Sequence, residues 1–196
     1  MIKYFDRQIA VVGKCFANLP ADDFDLLAER CVGALRRGGK IIASGLGKNV
    51  PICEKFVGTL NSLGLDARFL HTNSAVHGDL GMVRGEDIVL LLSKSGNTEE
   101  TITLGQLLLE RKTETWPLVF NGNSRLISLF KRGLLLKLEE EGDPWNILPN
   151  NSTVVYLLLL QGLAMRIARD MNVHLEDFRL NHPGGGIGKQ LRKETC

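Results

Sequence analysis

The sequence predicts a doubly wound α/β domain of three layers, with five parallel strands between two layers of helices and an N-terminal helical arm ahead of them. Three observations carry the prediction. Short apolar runs alternate along the chain with stretches of helical periodicity, the order expected of a parallel sheet with crossover helices. The run Asp87-Ile88-Val89-Leu90-Leu91-Leu92 has no polar alternation, which implies a strand covered on both faces. Glycine- and hydroxyl-rich segments follow directly after several runs, at the carboxyl ends of strands where such sheets bind ligands.

Residues 4–18 place Phe5, Ile9, Val12 and Phe16 at helical spacing. Asp22 is expected to cap a second helix running to about Ala34, with Phe24, Leu27, Cys31 and Leu35 on one face. These two helices either pack between subunits or simply cover the sheet. Strands are expected at 40–44, 66–70, 87–92, 116–120 and 134–138. Helices are expected at about 49–63, 98–112, 124–131 and 152–171, with right-handed crossovers placing them on both faces. No linker composition divides the chain, so residues 1–196 read as a single domain: helices over 1–38, then core and tail over 39–191.

Of 196 residues, 44% are hydrophobic and 23% charged, a globular balance that supports a core without disulfide or metal staples. The net charge of +2 gives no basic field to hold nucleic acid. Cys15, Cys31, Cys53 and Cys196 form no CxxC pair and read as reduced thiols of a cytoplasmic protein. No signal peptide is expected. The most apolar stretch, Val154 to Leu163, is about half a bilayer span, so it reads as a buried helix and not a membrane anchor.

The segments after the strands carry the polar chemistry. Ser44-Gly45-Leu46-Gly47-Lys48-Asn49 lets backbone approach a ligand at a helix start and adds a cation. Neither the Walker spacing nor the GxGxxG fingerprint is present, and a ligand-free tight turn would look similar. Ser93-Lys94-Ser95-Gly96-Asn97-Thr98-Glu99-Glu100 sets three hydroxyls around a glycine at a helix start. One would suffice as a cap, so the loop is expected to hold a phosphate. At least one of Glu99 and Glu100 must then point away. His71 to Asp79 places His71, His77 and Asp79 after a strand, suited to metal binding, proton transfer or a structural role. Glu139-Glu140-Glu141 is a solvated turn or the source of a general base. Asn150-Asn151-Ser152-Thr153 caps the last long helix and is a candidate substrate contact at Ser152. Asn181-His182-Pro183-Gly184-Gly185-Gly186 is expected to form an irregular tail that folds back through Ile187 and Leu191, onto its own domain or another subunit.

The segment 93–100 resembles the phosphate-binding signature of sugar isomerase (SIS) domains. His77-Gly78-Asp79-Leu80-Gly81-Met82 and His182-Pro183-Gly184-Gly185 are similar to its arabinose-5-phosphate isomerase branch, and the match runs from about Gly39 to Leu191. The chain departs from the branch at Asn49, Asn97 and Asn150-Asn151, and is expected to lack the branch's tandem CBS domains. The resemblance implies a flavodoxin-like five-stranded sheet and a homo-oligomer, a tetramer or dimer, with active sites shared between subunits. It implies interconversion of ribulose 5-phosphate and arabinose 5-phosphate, at the entry to Kdo for lipopolysaccharide or capsule.

Catalytic positions then fall on Lys48, Glu100, Glu141 and His182. Ser93, Ser95 and Thr98 form the phosphate cradle, with Ser44, Gly45, Gly47, Asn49, Lys94 and His77 as further substrate contacts. His71 contacts substrate or a metal. No cofactor is required, and zinc is an inhibitory or structural candidate. The expected chemistry is a proton shuttle between C1 and C2 through a cis-enediol, with the acid and base undivided among Glu100, Glu141 and His182. Lys48 steadies the enediolate or phosphate, and His182 is a candidate for ring opening. The rival readings are an SIS isomerase for another sugar phosphate and a non-catalytic sugar-phosphate-binding module.

Overall fold

The computed structural model describes residues 2–193. Two helices come first, α1 (Ile2–Ala17) and α2 (Ala21–Arg36). Then follow β1 (Ile41–Gly45), α3 (Asn49–Ser62), β2 (Ala67–Phe69), the short α4 (Thr72–Ala75), a 3-10 turn (Asp79–Met82) and β3 (Ile88–Leu92). The second half runs α5 (Glu99–Glu110), β4 (Glu114–Val119), α6 (Arg125–Phe130), β5 (Leu134–Leu135), α7 (Asn151–Asp170), α8 (Leu175–Leu180) and α9 (Gly185–Lys193).

All five strands are parallel, in the order β2-β1-β3-β4-β5. The chain winds outward from β1 to β2 and then returns to place β3 on the other side of β1. The strand order therefore reverses between β1 and β3, and a crevice at their carboxyl ends is the natural ligand site.

Alternation within β3 explains the three layers. Ile88, Leu90 and Leu92 join the core under α2, α3 and α7, while Val89 and Leu91 join the second core under α5 and α6. Every residue of β1 and β3 is buried. The N-terminal helices are more than an arm. Leu27, Ala28 and Cys31 of α2 are fully buried against the sheet, whereas α1 leaves Tyr4, Phe5 and Ile9 exposed. Helix α7 is long and apolar enough to cross a membrane by length and composition, but half of that span is buried, with Val155, Tyr156, Leu159 and Leu163 in the core.

Four local expectations change. Asp22 does not cap α2: Pro20 holds that position, and Asp22 and Asp23 lie in the first turn, where they complement the helix dipole. The β5 ladder covers only Leu134–Leu135, although Leu136 N–H still donates to Val119 O at 2.8 Å. Helix α8 carried no recognisable signal in the sequence. The tail is helical from Gly185 onward and irregular only over 182–184. Gly188 fits because a Cβ there would lie 2.5 Å from the His182 carbonyl oxygen, and Leu191 alone buries while Ile187 stays exposed.

At the amino ends of the strands Asp87 is almost fully buried. Its Oδ1 accepts Lys40 N–H at 3.0 Å, and its Oδ2 accepts Lys40 Nζ at 2.7 Å and Arg84 N–H at 2.8 Å. This carboxylate ties the start of β1 to the start of β3. Asp87→Asn removes the charge from three donors and should cost about 1.5–3 kcal/mol by chemical denaturation. A change under about 0.5 kcal/mol would contradict that role.

Cys15, Cys31 and Cys53 are buried free thiols. Burial pushes the Cys53 thiol up to about 12 and Cys31 higher still, so both are inert. Cys196 lies outside the described residues.

Candidate active site

The loop after β3 is organised around Ser93 and Gly96. Ser93 is buried, and its Oγ accepts Gly96 N–H at 3.2 Å and lies 3.3 Å from the Thr98 hydroxyl. Ser95 is exposed, with Oγ accepting Asn97 N–H at 3.1 Å. Gly96 takes φ +64, and a Cβ there would sit 2.4 Å from Ser124 Oγ. The glycine thus lets the loop press onto the start of α6. Leu126 N–H donates to Gly96 O at 3.1 Å, Arg125 N–H to Asn97 Oδ1 at 2.9 Å, and Phe120 N–H to Lys94 O at 3.0 Å.

Thr98 opens α5 without spending its hydroxyl on a cap bond. The first-turn amides of α5, with the positive end of its dipole, are therefore open to an anion. Glu99 is drawn away by an ion pair to Arg125, as the phosphate reading required of one of the two glutamates. Glu100 is exposed and lines a cavity of about 380 Å³ with Thr72, Asn73, Val76, His77 and Thr103.

The loop after β1 packs against this one. Gly45 is buried, and a Cβ on it would lie 2.8 Å from Asn49 Cβ. Its absence lets Asn49 Nδ2 reach back to Leu92 O at 3.3 Å. Gly47 takes φ +59. Lys48 is exposed beside Pro51, Pro149 and Thr153, between the starts of α3 and α7. Ser44 is fully buried and shares its hydroxyl with Thr72 at 3.1 Å. It fixes the start of α4 and thereby the segment bearing His71 and His77. His71 caps α4, its Nδ1 accepting Asn73 N–H at 3.3 Å, with its ring edge-on to Phe69.

Glu141 is fully buried. Its Oε2 accepts Ser152 N–H at 2.8 Å and Asn150 N–H at 3.0 Å at the start of α7, and Lys94 Nζ lies 2.5 Å from Oε1. Burial alone would push this carboxyl up. The Lys94 ammonium, Ser152 and Asn150 outweigh it and hold the group below its ordinary range. Lys94, although partly exposed, is therefore engaged with Glu141, and Ser152 faces Glu141 rather than open space. Of the neighbouring carboxylates, Glu140 pairs with Arg7 and Glu139 with Lys14, so α1 clamps this turn.

His182 does not join the others within the chain. Its Nδ1 lies 2.8 Å from Phe178 O and its ring stacks on Phe178 at 3.9 Å. The adjacent Asn181 donates to Ser62 O at the carboxyl end of α3, whereas Lys48 stands at the amino end. Helix α3 has 14 residues, so these ends are about 21 Å apart. Among the described residues no group of three or more His, Cys, Asp and Glu could hold a metal.

Ser93, Thr98 and Asn49 thus meet at the carboxyl ends of β1 and β3, while Glu100 and His77 line one cavity there, Lys48 a second, and Ser95, Lys94 and Glu141 a third. Thr72, Ser124 and Arg125 support the loops and were missed in the sequence. Thr72 sits in a segment that drew attention only for its histidines, and the Gly96–Ser124 contact spans 28 positions with no local motif.

The SIS domain family profile matches residues 34–166. Arabinose 5-phosphate isomerase KdsD of Pseudomonas aeruginosa is 34% identical over 170 residues, covering 87% of this chain and 51% of that protein. Arabinose 5-phosphate isomerase GutQ of Escherichia coli is 34% identical over 153 residues, covering 78% and 48%. The chain thus spans about half the length of these curated relatives. An Escherichia coli protein solved in complex with arabinose 5-phosphate superposes with a TM-score of 0.85 at 28% identity, covering 93% of this chain and 95% of that one.

Proposed function

Because the chain belongs to the SIS domain family, we propose that it is a phosphosugar aldose-ketose isomerase that interconverts D-arabinose 5-phosphate and D-ribulose 5-phosphate. The observation that carries this reading is the loop of Ser93, Ser95 and Thr98 at the reversal of strand order, its helix amides unspent. The named relatives supply the sugar.

The phosphate sits on these hydroxyls and amides and anchors the open chain, so remote binding energy positions C1 and C2. A base removes the C2 proton of the aldose as an acid protonates O1, giving a cis-enediol. Protonation at C1 and loss of the O2 proton as C2 becomes a carbonyl complete the ketose. The chemistry moves hydrogen within one molecule and needs no external oxidant.

Glu100 is the carboxylate open to the cavity and is assigned as the base, with His77 beside it as a substrate contact. Glu141, sealed and ion-paired, holds Lys94 and the start of α7 and is set aside as the base. Lys48 steadies the enediolate from the β1 loop.

His182 reaches such a site only from a second copy of the chain. Exposed apolar residues on α1 (Tyr4, Phe5, Ile9) and on α7 (Leu158, Met165) support an oligomer with shared sites. On this reading the protein acts in the cytoplasm, on a precursor of Kdo.

Turnover of a panel of sugar phosphates tests the reading. Interconversion of the two pentose phosphates is expected, with Glu100→Gln lowering kcat at least about a hundred-fold while sugar-phosphate binding persists. Binding without turnover of any sugar by the unmodified protein would overturn it in favour of a non-catalytic binding module.

A further inference from the structure

A cleft at the other end of the sheet lies beside the amino ends of β3 and β4. Its volume is about 560 Å³, against about 340, 380 and 280 Å³ for those near the carboxyl ends. The five-residue β3 separates the two ends by roughly 16 Å. Four cations line it, Arg30, Arg37, Lys112 and Arg132, with a single carboxylate, Glu114. That is a local surplus of +3, larger than the +2 of the whole chain.

Glu114 is already shared. Its Oε1 lies 3.7 Å from Arg30, 3.5 Å from Arg132 and 3.3 Å from Trp116 Nε1. Arg37 and Lys112 are exposed and have no carboxylate partner among the described residues. Thr113 on the same wall is more than nine-tenths buried and its hydroxyl has no hydrogen-bond partner. Phe130 and Leu109 give the cleft an apolar side, with Leu109 half exposed.

We propose that this cleft is a second ligand site, distinct from the sugar-phosphate crevice, that takes a nucleotide-sized organic polyphosphate. The phosphates rest on Arg37, Lys112 and Arg132; the two guanidinium groups suit bidentate contact, and the Lys112 ammonium adds a point charge. The apolar ring lies on Phe130 and Leu109. The volume suits a ligand of that size. Helix α5 begins at the phosphate loop and ends at this cleft, so an occupant here contacts the same element that seats the substrate. The site stands whether or not the chain is an isomerase.

The test titrates the full chain with ADP by calorimetry at low and moderate salt. The unmodified protein should bind saturably, more weakly as salt rises. Arg37→Gln with Lys112→Asn should weaken ADP at least about ten-fold and leave arabinose 5-phosphate binding unchanged. Asn is chosen because Lys112 takes φ +58, which Asn tolerates. Ser95→Ala with Thr98→Val should leave ADP binding unchanged. No saturable ADP binding by the unmodified protein would overturn the proposal. So would loss of ADP in the Ser95/Thr98 variant with the Arg37/Lys112 variant unaffected.

Discussion

Gly96→Ala should destabilise the protein by about 2–5 kcal/mol and abolish tight sugar-phosphate binding. Two independent costs combine. A residue with a Cβ held in the left-handed region costs about 1–2 kcal/mol, and Gly96 takes φ +64. The new methyl would also lie 2.4 Å from Ser124 Oγ and 2.5 Å from Ser124 Cβ, an overlap of the kind that costs about 1–3 kcal/mol. Relief requires the 93–98 loop to lift from α6, which carries Ser95 and Thr98 away from the amides of α5. Chemical denaturation and titration with arabinose 5-phosphate check both parts. Adding Ser124→Gly should recover the overlap cost but not the dihedral cost. A Gly96→Ala protein as stable as its parent would contradict the packing described.

Glu141→Gln should cost about 1.5–3 kcal/mol, because it leaves two buried amide donors facing a neutral group, while the partly exposed Lys94 ammonium keeps access to water. The same substitution alters acid stability with a definite sign. The folded carboxyl titrates below its ordinary value of 4.5. A carboxyl depressed on folding contributes stability that is fully present above its unfolded pKa and lost as pH falls through the folded one. The unmodified protein should therefore lose stability below about pH 4.5 more steeply than Glu141→Gln. Glu140 and Asp170 are also depressed by their arginine partners, and subtracting the two denaturation series removes their share. Parallel series across that range would contradict the ion pair between Glu141 and Lys94. Reduced kcat in this variant, if the protein remains folded, should be small beside that of Glu100→Gln.

The sheet was legible because its strands are nearly uniform runs. Ile41-Ile42-Ala43 and Ile88 to Leu92 have no polar alternation, and only strands covered on both faces tolerate that. The loop over 93–98 was legible as a polar turn opening α5, because three hydroxyls around Gly96 exceed what a helix cap needs. Glu141 was not, since its meaning depends on Lys94, 47 positions away, and on the start of α7. A carboxylate in a run of three glutamates reads as solvent-facing or basic, and no local pattern announces that one of the three is sealed. His182 was recognised by its neighbours in sequence but not by place, which Asn181 and the end of α3 decide. The tail failed for a third reason. Three glycines weigh against a helix by propensity, yet Leu191 finds the core and Gly188 permits a close backbone approach that a side chain would block.

The central claim is that the Ser93–Thr98 loop seats a sugar phosphate whose C2 proton is then moved. Proton NMR of arabinose 5-phosphate in deuterated water measures this directly. The account predicts loss of the C2 hydrogen signal as ribulose 5-phosphate appears. In Ser95→Ala with Thr98→Val, kcat/KM should fall about a hundred-fold, since two charge-assisted hydrogen bonds of ~1.5 kcal/mol each are gone. Retention of the C2 hydrogen by the unmodified protein, or exchange unaffected by the loop variant, would contradict it.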